Sequence, residues 1–172
     1  MLKFLERIFV KKQTSILGLD IGTENLKLAE VSLASDQPEL LTSSILPLSP
    51  GCIQDGRITD REAVTEQVRQ LIAVSGAAAQ NVVIGIGGRA IFVREVLFPV
   101  LEDTELREAI KWDMEKYVPY EPDSFYYDYA VVGKTNSETE MKVLLAAAPN
   151  EIIHDFVAVV KDAGLRPVAI EI

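Results

Sequence analysis

Ser15-Ile-Leu-Gly-Leu-Asp-Ile-Gly-Thr-Glu-Asn-Leu-Lys-Leu-Ala-Glu-Val-Ser-Leu33 is the stretch whose reading decides the fold. Ser15–Ile21 is an apolar run of strand length, Gly22-Thr23-Glu24-Asn25 is a turn, and Leu26–Leu33 is a second strand. Gln37-Pro38 punctuates the next connection, and Glu39–Leu48 reads as a third strand ending in the Pro47/Pro50/Gly51 loop. Three strands joined by short turns make an antiparallel meander. Asp55-Gly56 is a further turn. Asp60 is placed as a helix N-cap, and Ala63, Val64, Val68, Leu71 and Ile72 recur at helical spacing through about Val74. Gly76 stands where a helix stop belongs. Asn81–Gly87 is a continuous apolar run, the pattern of a buried parallel strand. The order is βββαβ.

A second module comes next. Ala90–Phe98 reads as a strand that stops at Pro99. Asp103 or Thr104 is expected to cap a helix through about Lys116, with Leu106, Ile110 and Met114 on one face. Tyr117-Val118-Pro119-Tyr120 ends it, because proline disfavours the helical conformation in the residue before it. Phe125–Gly133 and Met141–Ala148 are strands around the polar turn Lys134–Glu140. A helix is expected from about Pro149 to Ala163, stopped by Gly164, and Arg166–Ile172 reads as a last strand. The chain stops inside that apolar strand, which gives the expectation of a truncated protein.

Composition sets what this fold can do. The 172 residues are 48% apolar and 25% charged, enough for a packed core and against disorder. A net charge of −9 excludes nucleic acid as the expected partner, since phosphate binding needs a basic footprint. The charge is uneven: Lys3, Arg7, Lys11 and Lys12 oppose only Glu6 in the first twelve residues. Leu2, Phe4, Leu5, Ile8 and Phe9 recur there at helical spacing, too short and too charged to span a bilayer. Two readings stay open for residues 1–14: a basic amphipathic foot on an anionic membrane surface or partner, and a leader that docks on its own body. Cys52 is the sole cysteine, which excludes an intrachain disulfide framework and a cysteine metal site, and His154 is the sole histidine, so any histidine-dependent zinc or triad chemistry would rest on that one residue, whose spacing reads as a helix-surface or boundary position.

Two motifs compete for a phosphate. Gly85-Ile-Gly-Gly-Arg-Ala90 has the dinucleotide spacing, but a strand rather than a helix comes after it, so no helix N-terminus receives a pyrophosphate. It reads as a glycine-rich crossing between lobes. No P-loop pattern exists in the chain. In Leu19-Asp-Ile-Gly-Thr-Glu-Asn-Leu-Lys27 an acidic residue ends a buried strand and a glycine opens the turn. Gly22 lets backbone approach an anion, Thr23 and Asn25 offer donors, and Lys27 adds charge. Asp20 suits Mg²⁺ held through water. Taken alone, the motif is also what a plain hairpin turn looks like. Glu102, Asp103 and Glu105 sit at a helix start, where the helix dipole accounts for them. No catalytic constellation is present.

The Asp-Ile-Gly-Thr turn at the head of a βββαβ unit resembles the first phosphate loop of the actin, heat-shock chaperone and sugar-kinase superfamily. Further segments narrow the resemblance to the PilM family of type IV pilus assembly proteins, in the FtsA-like branch. They are Gly18–Val31, Asp55-Gly-Arg-Ile-Thr-Asp60, Arg94-Glu-Val-Leu-Phe-Pro99, Glu115-Lys-Tyr-Val-Pro-Tyr120 and Ala163-Gly-Leu-Arg-Pro167. The resemblance covers about Met1 to Ile172. It implies an α/β, actin-like (ribonuclease H-like) domain I. Residues 15–87 plus 165–172 would form subdomain IA, and 88–164 an inserted FtsA-type α+β subdomain. A second actin-like domain, with the other phosphate loop and the adenosine pocket, would be missing here.

The same resemblance implies ATP with Mg²⁺ as the cofactor of the full-length protein, with Asp20, Gly22, Thr23, Asn25 and Lys27 at the phosphates and at most weak turnover. It implies a cytoplasmic place, peripheral to the inner membrane, among pilus inner-membrane and motor components. The cytoplasmic N-terminal peptide of PilN would lie in a groove between IA and the inserted lobe. Trp112, Tyr117, Tyr120, Tyr126 and Tyr127 are the aromatics available to that groove. Helix and strand spacing favours lobe core for Tyr117 and for the Tyr126/Tyr127 pair. The alternatives are the cytoplasmic domain of a GspL-like type II secretion protein, marked by a downstream membrane span, and an ATP phosphotransferase, which needs a substrate base.

Overall fold

A computed structural model describes residues 15–134 and 139–172. The leader expected at 1–14 lies outside the described residues, as does most of the polar turn near 135–138. The opening meander is β1 (Ser15–Ile21), β2 (Asn25–Ser32) and β3 (Glu39–Pro47), all antiparallel. Strand alternation sends Leu17, Leu19 and Ile21 of β1 and Leu26 and Leu28 of β2 into one buried layer. Asp55 and Gly56, at φ 50° and 80°, turn a short hairpin of β4 (Ile53–Gln54) and β5 (Arg57–Ile58). Two successive positive φ values are what such a two-residue turn requires.

Helix α1 (Arg61–Ser75) starts where Asp60 Oδ1 accepts the Ala63 N–H at 2.9 Å. It ends at Gly76, which sits in the left-handed region. Its buried stripe Val64, Val68 and Leu71 covers the meander, and β6 (Asn81–Gly85) then pairs parallel to β1. In the glycine-rich crossing beyond β6, the glycines serve a close approach of two backbones. A Cβ on Gly88 would meet the Gly56 Cα at 3.3 Å. The crossing leads into β7 (Phe92–Pro99), so no helix opens at the dinucleotide-like spacing.

The second lobe holds β7, α2 (Asp103–Tyr117), β8 (Phe125–Lys134) and β9 (Glu140–Pro149), in an antiparallel sheet of order β7-β9-β8. Leu106, Ile110 and Met114 of α2 pack on Val96, Phe98, Val143 and Leu145. The cap of α2 is Glu102 rather than Asp103 or Thr104. Its N–H donates to Glu105 Oε2 at 3.4 Å, so the box begins one residue earlier than expected. The chain returns through α3 (Asn150–Asp162) and β10 (Arg166–Glu171), which pairs parallel to β6. The main sheet runs β10-β6-β1-β2-β3.

Helix α3 departs from the boundary expected at 164. Its buried residues Ile152, Phe156, Val159 and Val160 belong to the core of the main sheet, with Val64, Val68 and Leu71 of α1. Arg57 pairs with Glu151, Arg61 pairs with Asp162, and Arg69 Nη2 donates to the Asp162 carbonyl at 2.6 Å. The stripe at i, i+4, i+7 and i+8 needs a broad apolar layer, and the layer it meets is the main sheet. The packing therefore returns the chain to the first core at Pro149, not at Leu165.

Candidate functional site

Two features lie where the main sheet could hold a ligand. The first is the turn after β1. The Gly22 N–H closes the turn on the Asn25 carbonyl at 3.1 Å, and a Cβ on Gly22 would stand 3.0 Å from that same oxygen. The glycine is thus needed for space, and its own N–H is spent inside the turn. Thr23 and Glu24 are exposed, and Asn25 is half-buried at the head of β2. Lys27 Nζ donates to Asp20 Oδ2 at 2.8 Å across the β1–β2 register, with both side chains about half exposed. The turn therefore groups Asp20 and Lys27 beside Gly22, Thr23 and Asn25.

Register adds a residue that the sequence reading missed. Asp20 lies opposite Gly85 on β6, and Gly85 lies opposite Glu171 on β10. The two carboxylates flank a strand end that has no side chain, at the carboxyl ends of three parallel strands, where open α/β sheets bind ligands. Gly18, Ala29 and Gly85 leave a depression of about 290 Å³ there, lined also by Asp20, Lys27 and Glu171. Glu171 as the last charged residue of an apolar strand was the available signal. Among the described residues no group of three or more acidic, histidine or cysteine side chains is placed to hold a metal ion. One solvent-facing carboxylate suits a Mg²⁺ that keeps most of its waters.

The second feature is a groove of about 450 Å³ between the lobes. Helix α3 lines it with one face, through Ile153, Val157 and Lys161 at i, i+4 and i+8. Strand β9 gives it Ala146 and Ala148, small residues of one face. Tyr126, Tyr127 and Asp128 come from β8, and Pro167 to Ile170 from β10. The Tyr126 hydroxyl bonds to His154 Nε2 at 3.1 Å, which fixes the ring at the groove margin.

The aromatics divide differently from what their spacing suggests. Tyr126 and Tyr127, expected in the lobe core, are 52% and 39% exposed and line the groove. Both stand on β8, the edge strand of the small sheet. Tyr117 packs on Phe98, and Tyr120 packs on Phe125 and donates its hydroxyl to the Ala90 carbonyl at 2.8 Å. Burial pushes the Tyr120 hydroxyl above its usual pKa. Trp112 is 80% exposed on α2 and does not line the groove.

A mixed central sheet in this order, an acidic strand end with a glycine turn, and a lobe set between β6 and its parallel neighbour define a domain of the actin-like class. The chain belongs to the PilM family: the family model described as type IV pilus assembly protein PilM matches residues 18–172. A solved PilM-PilN type IV pilus biogenesis complex contains a chain 28% identical, with a TM-score of 0.80 over 91% of this chain and 47% of that one. The cytoplasmic domain of EpsL, an inner membrane component of the type II secretion system of Vibrio cholerae, matches at 11% identity and a TM-score of 0.56. That match covers 91% of this chain and 56% of the EpsL chain, and its identity shows the fold alone. The present chain spans about half the length of these solved chains. Among the described residues no helix is long and apolar enough to cross a membrane.

Proposed function

We propose that this chain is the partner-binding half of a type IV pilus scaffold, taking the N-terminal tail of PilN in the groove between its lobes. The observation that carries the reading is the groove itself: apolar walls, half-exposed tyrosines at its margin, and a family whose solved member is a complex with PilN. Tyrosine anchors bury large area at low entropic cost, so they concentrate binding energy. On this reading the protein works at the cytoplasmic face of the inner membrane with other pilus components. The type II secretion alternative rests on a more distant likeness.

A titration of the full chain with a labelled peptide copying the PilN tail of the same genome tests it. Tyr126→Ala is expected to weaken binding about tenfold or more, and Trp112→Ala to leave it unchanged, as hot-spot truncations do and distant surface ones do not. Equal affinity for wild type and Tyr126→Ala would sink the groove as the docking site.

The Asp20 turn supports a nucleotide reading for the whole protein, with ATP phosphates over Gly22, Thr23, Asn25 and Lys27. Mg²⁺ would neutralise phosphate charge, held by Asp20 through water, after Lys27 exchanges its Asp20 partner for a phosphate oxygen. Asp20→Asn is expected to weaken ATP binding about tenfold with Mg²⁺ present and little without it, because only the ion's outer contact is lost. An equal loss under both conditions, measured by calorimetry, would remove Asp20 from the metal.

A further inference from the structure

We infer that two copies of this chain join edge to edge through β3, with a twofold axis beside Ser44 and their main sheets continuous across the seam. Strand β3 ends the main sheet, and among the described residues no strand pairs with its outer side. An edge of this kind is a template for another strand, and proteins normally protect it with charge. The other edge strands of the two larger sheets are so protected. Strand β10 carries Arg166 and Glu171, β7 carries Arg94 and Glu95, and β8 carries Asp128 and Lys134. Strand β3 has Glu39 at its first residue, and no charged residue comes between Glu39 and Asp55. In a chain that is 25% charged, an uncharged edge of that length marks a surface made to be covered.

The backbone sets how a strand can pair there. The Leu48 N–H donates to the Glu24 carbonyl at 2.8 Å, so the polar groups of Leu48 point to β2. Successive residues of a strand point their N–H and C=O to opposite sides. Those of Ser44 and Leu46 therefore face β2, and those of Ser43 and Ile45 face outward. Both ends of this edge are blunted. Pro47, the next outward residue, has no N–H, and the register with β2 shifts between the pairs of Thr42 and Leu40. Ser43 and Ile45 remain for pairing, one on each side of Ser44. A second copy, antiparallel about an axis at Ser44, sets its Ile45 opposite Ser43 and its Ser43 opposite Ile45. Every outward N–H and C=O of that stretch then has a partner. An axis at Ser43 would set Ile45 against Leu41, inside the irregular stretch.

The side chains also suit a second copy. Thr42, Ser44 and Leu46 are half-buried, while Ser43 and Ile45 stand on the open face, Ile45 being 67% exposed. About the axis the two Ile45 side chains become diagonal neighbours across the seam. On the α1 side, the Thr42 hydroxyl donates to the Ser75 carbonyl at 2.9 Å, which holds the end of α1 over the edge and brings the exposed Val74 to the seam. The exposed parts of Leu40, Leu41, Ile45 and Val74 come to roughly 400 Å² per copy, about half of what each partner buries in a standard interface. The contact is therefore a weak, reversible dimer. At a net charge of −9 two copies repel each other, and this uncharged rim is where they can approach. Pairing at β3 leaves the groove free, because β10, which lines it, is the opposite edge of the sheet.

Analytical ultracentrifugation of the full chain from about 1 to about 100 μM, with and without the PilN tail peptide, tests this. A reversible dimer with a Kd of about 10 μM is expected, unchanged by the peptide, so the result stands apart from the docking reading. Ile45→Lys places like charges beside the axis on a side chain already in solvent. It is expected to weaken the dimer about tenfold or more and to leave thermal unfolding unchanged. Oxidised Ser44→Cys is expected to link two copies, because the non-hydrogen-bonded pair at the axis brings the two side chains within disulfide reach, while the native Cys52 is buried. A monomer across the whole range would overturn the proposal and leave the edge to a strand of another protein. A dimer that Ile45→Lys does not weaken would also overturn it, in favour of another surface. Linking through Ser43→Cys in place of Ser44→Cys would overturn the axis.

Discussion

Phe156→Ala is expected to destabilise the protein by about 3–5 kcal/mol, the range for deleting a fully buried aromatic side chain. Phe156 is 2% exposed and sits in the core shared by the main sheet, α1 and α3. The loss would take a large part of the roughly 5–15 kcal/mol that holds a domain folded. The location of the damage is as informative as its size. If α3 belongs to the first core, amide exchange should rise in β6 and β10, whose Val82, Ile84 and Ile170 belong to or pack on that core. The amides of β7 and β9 should change little, because their core is built on Leu106, Ile110 and Met114. Urea unfolding with hydrogen exchange checks both. A loss below about 1 kcal/mol, or fast exchange confined to the small sheet, would show that Phe156 does not tie α3 to the main sheet. The groove should suffer too, since Ile153, Val157 and Lys161 stand on the helix that Phe156 anchors.

Local order was legible in the sequence wherever one side chain determines it. Asp60, the Val64/Val68/Leu71 stripe and Gly76 fix the ends and the buried face of α1 almost to the residue. The apolar run at Asn81 declared a parallel buried strand, and the meander was readable from Gly22 and the proline-rich loop. What stayed hidden depended on distance in the chain. The stripe of α3 says that Phe156 is buried but not against which sheet, so the lobe boundary fell at Gly164 instead of Pro149. Period-two spacing says that Tyr127 alternates with its neighbours, but not that β8 is an edge bordering a groove. Glu171 lies 151 residues from Asp20 in sequence, and only the β1–β6–β10 register sets the two around Gly85. The glycine pair Gly56 and Gly88 was visible only as two turns, because their contact joins separate loops. The turn from Asp20 to Lys27 was itself readable, while the Lys27–Asp20 ion pair needed the hairpin register.

Glu30 gives the second large effect, and it has a pH signature. The residue is 4% exposed in β2. Its Oε1 accepts the Ser15 hydroxyl at 2.7 Å and the Ala79 N–H at 3.1 Å, and its Oε2 accepts the Ala78 N–H at 2.9 Å. One carboxylate thereby joins the first residue of β1 to the loop that leads from α1 into β6. Glu30→Ala strands those donors in a buried place and is expected to cost about 3 kcal/mol, while Glu30→Gln, which keeps one acceptor, should cost about 1–2 kcal/mol. The hydrogen bond from Ser15 is the main cause that holds the carboxyl below its ordinary value near 4.5, aided by Ala78 and Ala79 and opposed by burial. A depressed folded value means that the unfolded chain takes up the proton first as pH falls. The stability that Glu30 contributes is therefore complete above about pH 5 and is lost progressively below its ordinary value, down through the depressed one. Denaturant unfolding of wild type and Glu30→Gln at neutral pH and across the acid range separates this carboxylate from the others. The gap between the two should be widest at neutral pH and close as acid protonates Glu30 in the folded state. A gap that stays constant with pH would mean that the charge of Glu30 contributes nothing beyond its shape, and the clasp between Ser15 and the Ala78–Ala79 loop would then be an ordinary neutral one.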